Sequence, residues 1–268
     1  VVKPRARILH GHDWVFSGEV LKAFGNPVDG DVISLKDGRD HLIGSAIYNS
    51  KSQIVARRFS RRRQNLDLDF FQRRIAQAAE YRARRKIDPQ LCRIVWSESD
   101  GLPGVIIDRY SEHFVLQTLT LAMEMRKELI VQAMAAVLGA KTIIERNDAP
   151  VRRAEGMDLR SGILSGEAPV QIEIEVAGLK LQIDLLHSQK TGFYLDQLPH
   201  YRAVADYAKG RRVLDCFPNQ GAFALACAQA GAEMVIGGEA RGESLEAGRA
   251  QAGRQAVKVE LGEKVGLE

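Results

Sequence analysis

The chain has 268 residues, 45% hydrophobic and 27% charged, with 38 lysines and arginines against 34 aspartates and glutamates and a formal net charge of +4. This length supports two or three compact units. No run approaches the roughly 18 uninterrupted apolar residues of a membrane span and no apolar signal-peptide core opens the sequence, so a cytoplasmic protein with no membrane partner is expected. The three cysteines, Cys92, Cys216 and Cys227, have neither the number nor the spacing of a disulfide framework or a zinc site, and no metal is expected.

From Trp14 to Phe59 the segments "WVFSGEV", "VISLKDG", "LIGSAIYN" and "QIVARRFS" are β-rich runs punctuated by glycine, proline, asparagine and aspartate. They predict a small β-barrel over residues 1–62. A basic stripe follows, with Arg57, Arg58, Arg61, Arg62, Arg63, Arg73, Arg74, Arg82, Arg84, Arg85 and Lys86 facing only Asp67, Asp69 and Glu80. Arginine's planar fork suits phosphate, and neutralising phosphates releases counterions. Charge alone fits a phosphate-binding face and a solvated helix face equally. "LDLDFFQRRIAQAAEYRARRK" carries Leu68, Phe71, Ile75, Ala78 and Ala79 at helical spacing, which predicts an amphipathic helix linking two domains.

Over 63–175 the pattern continues as a strand at "CRIVWSES", two strands in "GVIIDRYSEHFVLQTLT", a helix at "MRKELIVQAMAAVLG" and a strand at "KTIIERND". This predicts a small α+β domain. Alternation around Ala177-Gly178 in "VQIEIEVAGLKLQIDLL" predicts a hairpin leading into "HSQKTGFYLDQLPHYR". Beyond Gly210 come a strand "RVLDCF", a tight loop "PNQG", a helix "AFALACAQAG", a strand "EMVIGGE", a further helix and a third strand at Val257 to Leu261. In doubly wound α/β folds a glycine after the first strand lets a ligand approach the backbone, and a carboxylate ending the second strand binds ribose hydroxyls. Gly221, Asp215 and Glu239 hold those positions. The chain has neither a G-x-G-x-x-G diphosphate cradle nor a P-loop, so a nucleoside ligand without phosphates, such as S-adenosylmethionine, fits best.

"GHDWVFSGEV", "ESDGLPGVIIDRY", "IIERNDAPVRRAEGM", "GILSGE", "QKTGFYLDQ" and "RVLDCFPNQGAFALACAQAGA", in this order, closely resemble the bacterial S-adenosylmethionine-dependent methyltransferases that act at cytosine C5 of large-subunit ribosomal RNA. The resemblance spans nearly the whole chain. It implies a multidomain α/β protein: an N-terminal PUA domain for RNA, a central α+β domain and, over 176–268, a Rossmann-like methyltransferase domain. It also implies that Lys190, Thr191, Phe193, Tyr194, Asp196 and Gln197 form one wall of the cofactor pocket, with Asp215, Phe217, Asn219, Gly221 and Glu239 opposite. Read from the residues alone, the alternative for Phe193 and Tyr194 is a place as core aromatics between hairpin and helix. Leu198, Ala222 and Glu239 stand where the family more often has arginine, glycine and aspartate.

The family reaction needs a cysteine thiolate that adds to C6 of cytosine, in a motif downstream of an Asp-Pro-Pro sequence, and neither motif occurs in these residues. Strand alternation turns Cys216 into the sheet, Cys227 and Cys92 read as buried small hydrophobes, and His187 and His200 read as hydrogen-bonding or surface groups. No catalytic residue is assigned, and the expectation is an RNA methyltransferase chain lacking its catalytic half. The alternative is a non-catalytic RNA-binding protein keeping a remnant of that fold. Ribosomal RNA is the expected partner, contacted by Arg57, Arg58, Arg61, Arg62 and Arg63, with a homodimer left open.

Overall fold

The computed structural model describes residues 1–167, 169, 171–188, 190–239, 242–255 and 259–263. They fall into two compact units, Val1–Pro169 with Gln189–Thr191, and Val170–Ser188 with Gly192–Glu268. Among the described residues no helix is long and apolar enough to cross a membrane.

The first unit opens with β1 (Trp14–Val15), β2 (Val32–Lys36), β3 (Leu42–Tyr48) and β4 (Ala56–Ser60), which form an antiparallel sheet in the order β1-β4-β3-β2. Its inward side chains, among them Val15, Leu35, Ala46 and Ala56, close on Val2, Ala6 and Ile8. Helix α1 (Leu68–Arg84) starts where the Asp67 side chain accepts a hydrogen bond from the Phe70 amide at 2.9 Å. Such a cap contributes about 1 kcal/mol. The helix buries Phe70, Phe71, Ile75 and Ala78.

A second sheet contains β5 (Leu91–Trp96), β6 (Val105–Tyr110) and β7 (His113–Thr118). After the short helix α2 (Leu121–Glu124) and α3 (Lys127–Leu138) it continues with β8 (Thr142–Asn147). Following α4 (Val151–Ala154) it ends with β9 (Arg160–Ser165). The order is β5-β6-β7-β8-β9, antiparallel except for the β7-β8 pair, which is parallel because the helices carry the chain back across the sheet. The expected linker helix is no tether. Its apolar side enters one core that takes Ile47 and Phe59 from the first sheet, Val95, Ile107 and Leu116 from the second, and Ile130 and Met134 from α3. The barrel and the central α+β domain expected from the sequence thus pack into one compact unit.

Polar contacts join the same parts. Glu98 accepts from the Trp14 indole at 2.8 Å and from Arg57 at 3.0 Å, and Arg57 also reaches Glu155 at 3.4 Å. Asn49 donates to the Glu155 carboxylate at 2.8 Å and to its carbonyl at 2.9 Å.

The second unit begins with the hairpin β10 (Ile172–Val176) and β11 (Leu179–Ile183), turning at Ala177-Gly178 as expected. The boundary expected at 175/176 thus falls inside β10, because the hairpin belongs wholly to this unit. Helix α5 (Leu198–Ala205) precedes β12 (Arg212–Asp215), α6 (Ala222–Gln229), β13 (Met234–Glu239), α7 (Gly242–Gln255) and β14 (Glu260–Glu263). Strands β12, β13 and β14 are parallel and adjacent. The third strand is thus at Glu260–Glu263, while residues 257 and 258 of the expected strand lie outside the described residues. Val235, Ala224 and Cys227 pack together with Val213 beside them, whereas Leu214, the next residue along β12, is 68% exposed. The Gln251 side chain ties α7 to the hairpin, donating to the Gln182 carbonyl at 2.6 Å and accepting from its amide at 3.2 Å.

The Glu98 junction sets a stability test. Burial works against the Glu98 charge, but hydrogen bonds from Ser97 and Trp14 and the charge of Arg57 outweigh it and hold its carboxyl below the ordinary value of 4.5. Its stabilisation is therefore complete above pH 4.5 and is lost as the pH falls through the lowered value. Glu98→Ala leaves the Trp14 indole without its acceptor and Arg57 with Glu155 alone, and should cost about 1–3 kcal/mol, the range for a buried donor left unsatisfied. Both tryptophans, Trp14 and Trp96, lie in the first unit, so urea unfolding followed by tryptophan fluorescence should show an earlier midpoint at pH 7 and a smaller difference from the parent at pH 3.

Candidate cofactor site and nucleic-acid face

In the second unit the loop between β12 and α6 is built from local constraints. The Phe217 amide donates to the Asp215 carboxylate at 3.1 Å, Asn219 adopts a left-handed backbone (φ +51°), and the Gly221 amide returns to the Pro218 carbonyl at 2.7 Å. Gly221 caps α6 at φ +84°, a conformation that costs an L side chain about 1–2 kcal/mol. A Cβ there would meet Gly248 and Leu225 at an ordinary 3.7–3.8 Å, so backbone conformation, not space, requires glycine.

Asp215 pairs in register with Gly237 and Glu239 with Glu263. The strands being parallel, Asp215 and Glu239 end at the same edge of the sheet. That edge, next to the start of α6, is where open α/β sheets bind ligands. Gln220 donates to the Ser188 hydroxyl at 3.3 Å, which links this loop to the segment ahead of "QKTGFYLDQ", while its own buried Oε1 has no partner among the described residues. Phe217 is 80% exposed.

The expected pocket wall is divided. Phe193 is buried against Tyr201 (ring centroids 5.8 Å apart), and Tyr201 packs on Phe223 of α6 at 4.4 Å. Tyr194 and Gln197 are half-buried and Asp196 is exposed, with Gln197 bonded to Asp196 and to His200 at 3.0 Å each. Burial, reinforced by the charges of Asp196, Tyr194 and Asp215, pushes the Tyr201 hydroxyl well above its ordinary range. Tyr201 thus stands among three of the expected site residues. It reads in the sequence as an ordinary apolar helix position, as does Gln220 as a loop filler.

Lys190 and Thr191 belong to the first unit. The Thr191 hydroxyl is buried and donates to Asp108, a fully buried carboxylate on β6 that Arg93 holds bidentately at 2.7 and 2.8 Å. The Thr191 side chain thus faces β6. Its hydroxyl is committed to a neutralised carboxylate and anchors the turn.

The basic stripe is divided by its ion pairs. Arg57 bridges Glu98 and Glu155, and Arg58 is buried against Asp13 at 2.7 Å. Arg82 grips Asp100 with both arms, one at 2.8 Å, and Arg73 meets Asp69 at 2.9 Å. Arg57 is drawn inward by Glu98 and Glu155 and Arg58 is buried beside the part-exposed Asp13, while Arg61, Arg62 and Arg63 remain exposed. Of the thiols, Cys92 is pushed up to about 11 by burial and Cys227 is raised by burial and the nearby Asp215 charge. Cys216, expected to turn into the sheet, is exposed.

A parallel strand, loop, helix, strand unit with acids at its strand ends, preceded by a basic β-rich unit, defines a nucleoside-binding α/β protein with an added N-terminal module. Residues 3–61 match the PUA-like domain family, and residues 81–262 match the S-adenosylmethionine-dependent methyltransferases. With more than half of its length matched, the chain belongs to the S-adenosylmethionine-dependent methyltransferase family. It is 37% identical over 246 residues to the ribosomal RNA large subunit methyltransferase I of Aeromonas salmonicida, covering 88% of this chain and 61% of that protein. With the protein of the same name from Aeromonas hydrophila it shares 35% over 260 residues, 94% of this chain and 65% of that one. The chain thus spans less than two thirds of the length of these relatives. In fold it is similar to a Streptococcus mutans chain described as an S-adenosylmethionine-dependent methyltransferase (TM-score 0.81, 20% identity, 99% of this chain and 71% of that one). It is equally similar to a methyltransferase structure complexed with SAH (TM-score 0.83, 20% identity, 98% and 69%).

The Thr191 contact is testable. Thr191→Val keeps the shape and removes the donor to a buried charge, which should cost about 1.5–3 kcal/mol. Tryptophan-monitored urea unfolding reads it directly, and an unchanged midpoint would show that the hydroxyl does not hold Asp108.

Proposed function

We propose that this chain takes part in the S-adenosylmethionine-dependent methylation of large-subunit ribosomal RNA, at cytosine C5. What supports the reaction class is the edge formed by β12, the Asn219 to Gly221 turn and the end of β13, to which Gln220 joins Ser188. The residues fit the cofactor: a left-handed turn exposes backbone to an adenosyl group, Gln220 retains a buried acceptor with no partner among the described residues, and two acids end adjacent strands. The relatives' names support ribosomal RNA as substrate, and the motif resemblance supports cytosine C5.

In this reading Glu239 accepts hydrogen bonds from the ribose hydroxyls and Asp215 fixes the loop through the Phe217 amide. Phe217, Tyr194, Asp196 and Gln197 contribute the remaining contacts, and the Phe193, Tyr201 and Phe223 cluster keeps the wall against α6. Bound S-adenosylmethionine supplies an electrophilic methyl group on a sulfonium. Arg61, Arg62 and Arg63 face the RNA. Among the cysteines, burial keeps Cys92 and Cys227 in the unreactive thiol form, so neither is assigned as the nucleophile.

Calorimetry with S-adenosylhomocysteine tests the site. The chain should bind it, and Glu239→Ala should lose about 1.5–3 kcal/mol of binding, the range for hydrogen bonds to a charged group. Binding that is absent in the parent, or indifferent to Glu239→Ala, would remove the cofactor assignment.

A further inference from the structure

Between the end of β4 and the first turns of α1, within the first unit, lies a recess of about 570 Å³ whose lining includes Arg58, Arg61, Arg62, Arg73 and Arg74. Ligand clefts have volumes of about 300–1,000 Å³. Two carboxylates also line it, Asp13 and Glu98, and both are already neutralised, by Arg58 at 2.7 Å and by Arg57 at 3.0 Å. Arg73 is engaged with Asp69. For Arg61, Arg62 and Arg74 no carboxylate among the described residues lies within ion-pairing distance.

Arg74 is the unusual member. Its side chain is half-buried, lies 5.4 Å from the Phe70 ring centroid and donates from Nη2 to the Phe59 carbonyl at 3.2 Å. Gly101 makes room for it, since a Cβ there would come within 3.1 Å of the guanidinium carbon. A guanidinium has five donors, and one carbonyl leaves most of them directed elsewhere. Burial, with the neighbouring Arg73 charge adding to it, lowers its pKa, so the cation is held where an anion would relieve it. A protein that needed Arg74 only for packing would do better with an apolar side chain against Phe70.

We infer that this recess is a phosphate-binding pocket for the backbone of RNA, with Arg74 as the inner anchor and Arg61 and Arg62 as the outer clamps. The inference deepens the ribosomal RNA reading above and rests on it for the identity of the polyanion. The pocket's own contribution is a planar fork fixed before binding, which favours a tetrahedral oxyanion over diffuse attraction. The run from Arg61 to Arg63 continues the positive charge outward, as a chain of phosphates requires and a single small anion does not.

The test is fluorescence anisotropy with a labelled RNA stem-loop over a range of salt concentrations, on the full chain. Arg74→Gln and Arg61→Gln should each weaken binding about tenfold and lower the slope of log K against log salt by about 0.7–0.9, one phosphate contact each. Arg74→Lys should restore the slope but only part of the affinity, because an ammonium cannot fork. Arg39→Gln, which removes the same charge from the turn between β2 and β3, should change little. Equal loss from Arg39→Gln, or no loss from Arg61→Gln and Arg74→Gln, overturns the pocket. So does displacement of the RNA by an equal concentration of inorganic phosphate or poly-glutamate, which would make it a site for free anions or acidic protein. Should Arg74→Gln fail to fold, Arg61→Gln at an exposed position decides the matter. S-adenosylhomocysteine calorimetry on the same preparations separates the two readings. Intact cofactor binding with unaffected RNA binding in the variants defeats the pocket alone, and lost cofactor binding in the parent with salt-linked RNA binding through Arg74 defeats the methylation reading alone.

Discussion

A carboxylate removed from water must find a cation or donors, and this requirement organises the first unit. Taking the ion out of solvent costs several kcal/mol unless its lone pairs are filled. Asp108, on β6, has no exposure at all, and Arg93 and Thr191 fill it from two directions. Glu124 and Glu145 are met by Lys127 and Arg152 in the same way, and Glu155 by Asn49 and Arg57. These demands decide which arginines point inward. The exposed positive face is what remains once the buried acids have been served.

Much of this architecture is legible in sequence where the governing period is local. The β10-β11 hairpin shows because Ile172, Ile174 and Val176 alternate with glutamate and turn inward together. Helix α1 shows because its apolar residues recur at helical spacing. Strand β9 does not, since Arg160–Ser165 lies largely exposed at a sheet edge and presents no apolar alternation. Helices α2 and α4, of four residues each, are too short to carry a period. The fate of a single arginine is harder still. Whether Arg57 lies outside or inside depends on Glu98 and Glu155, 41 and 98 residues away in the chain, and no window of sequence contains that distance.

The candidate site divides along the same line. The strand-end acids and the Asn219 to Gly221 turn follow from the order of strand, loop and helix, so position in the chain is enough to find them. Ser188, Gln220 and Tyr201 become visible only when the segment after the hairpin packs on α6, since each looks ordinary in its own neighbourhood. Phe193 shows how two sequence readings can merge: a ring buried in the core beneath a wall is also what keeps the wall in place.

The 98-residue separation between Arg57 and Glu155 has a consequence for the order of events on the ribosome. At a synthesis rate of about 5–20 residues per second, roughly 5–20 s pass between the addition of Arg57 and that of Glu155. Helix α1, which supplies the shared core, follows within a few seconds. For the rest of that interval the nascent N-terminal module has hydrophobic partners but an incomplete electrostatic latch. It emerges as a positively charged segment beside a surface made largely of RNA, before the second of the two acids that hold Arg57 inward has been made.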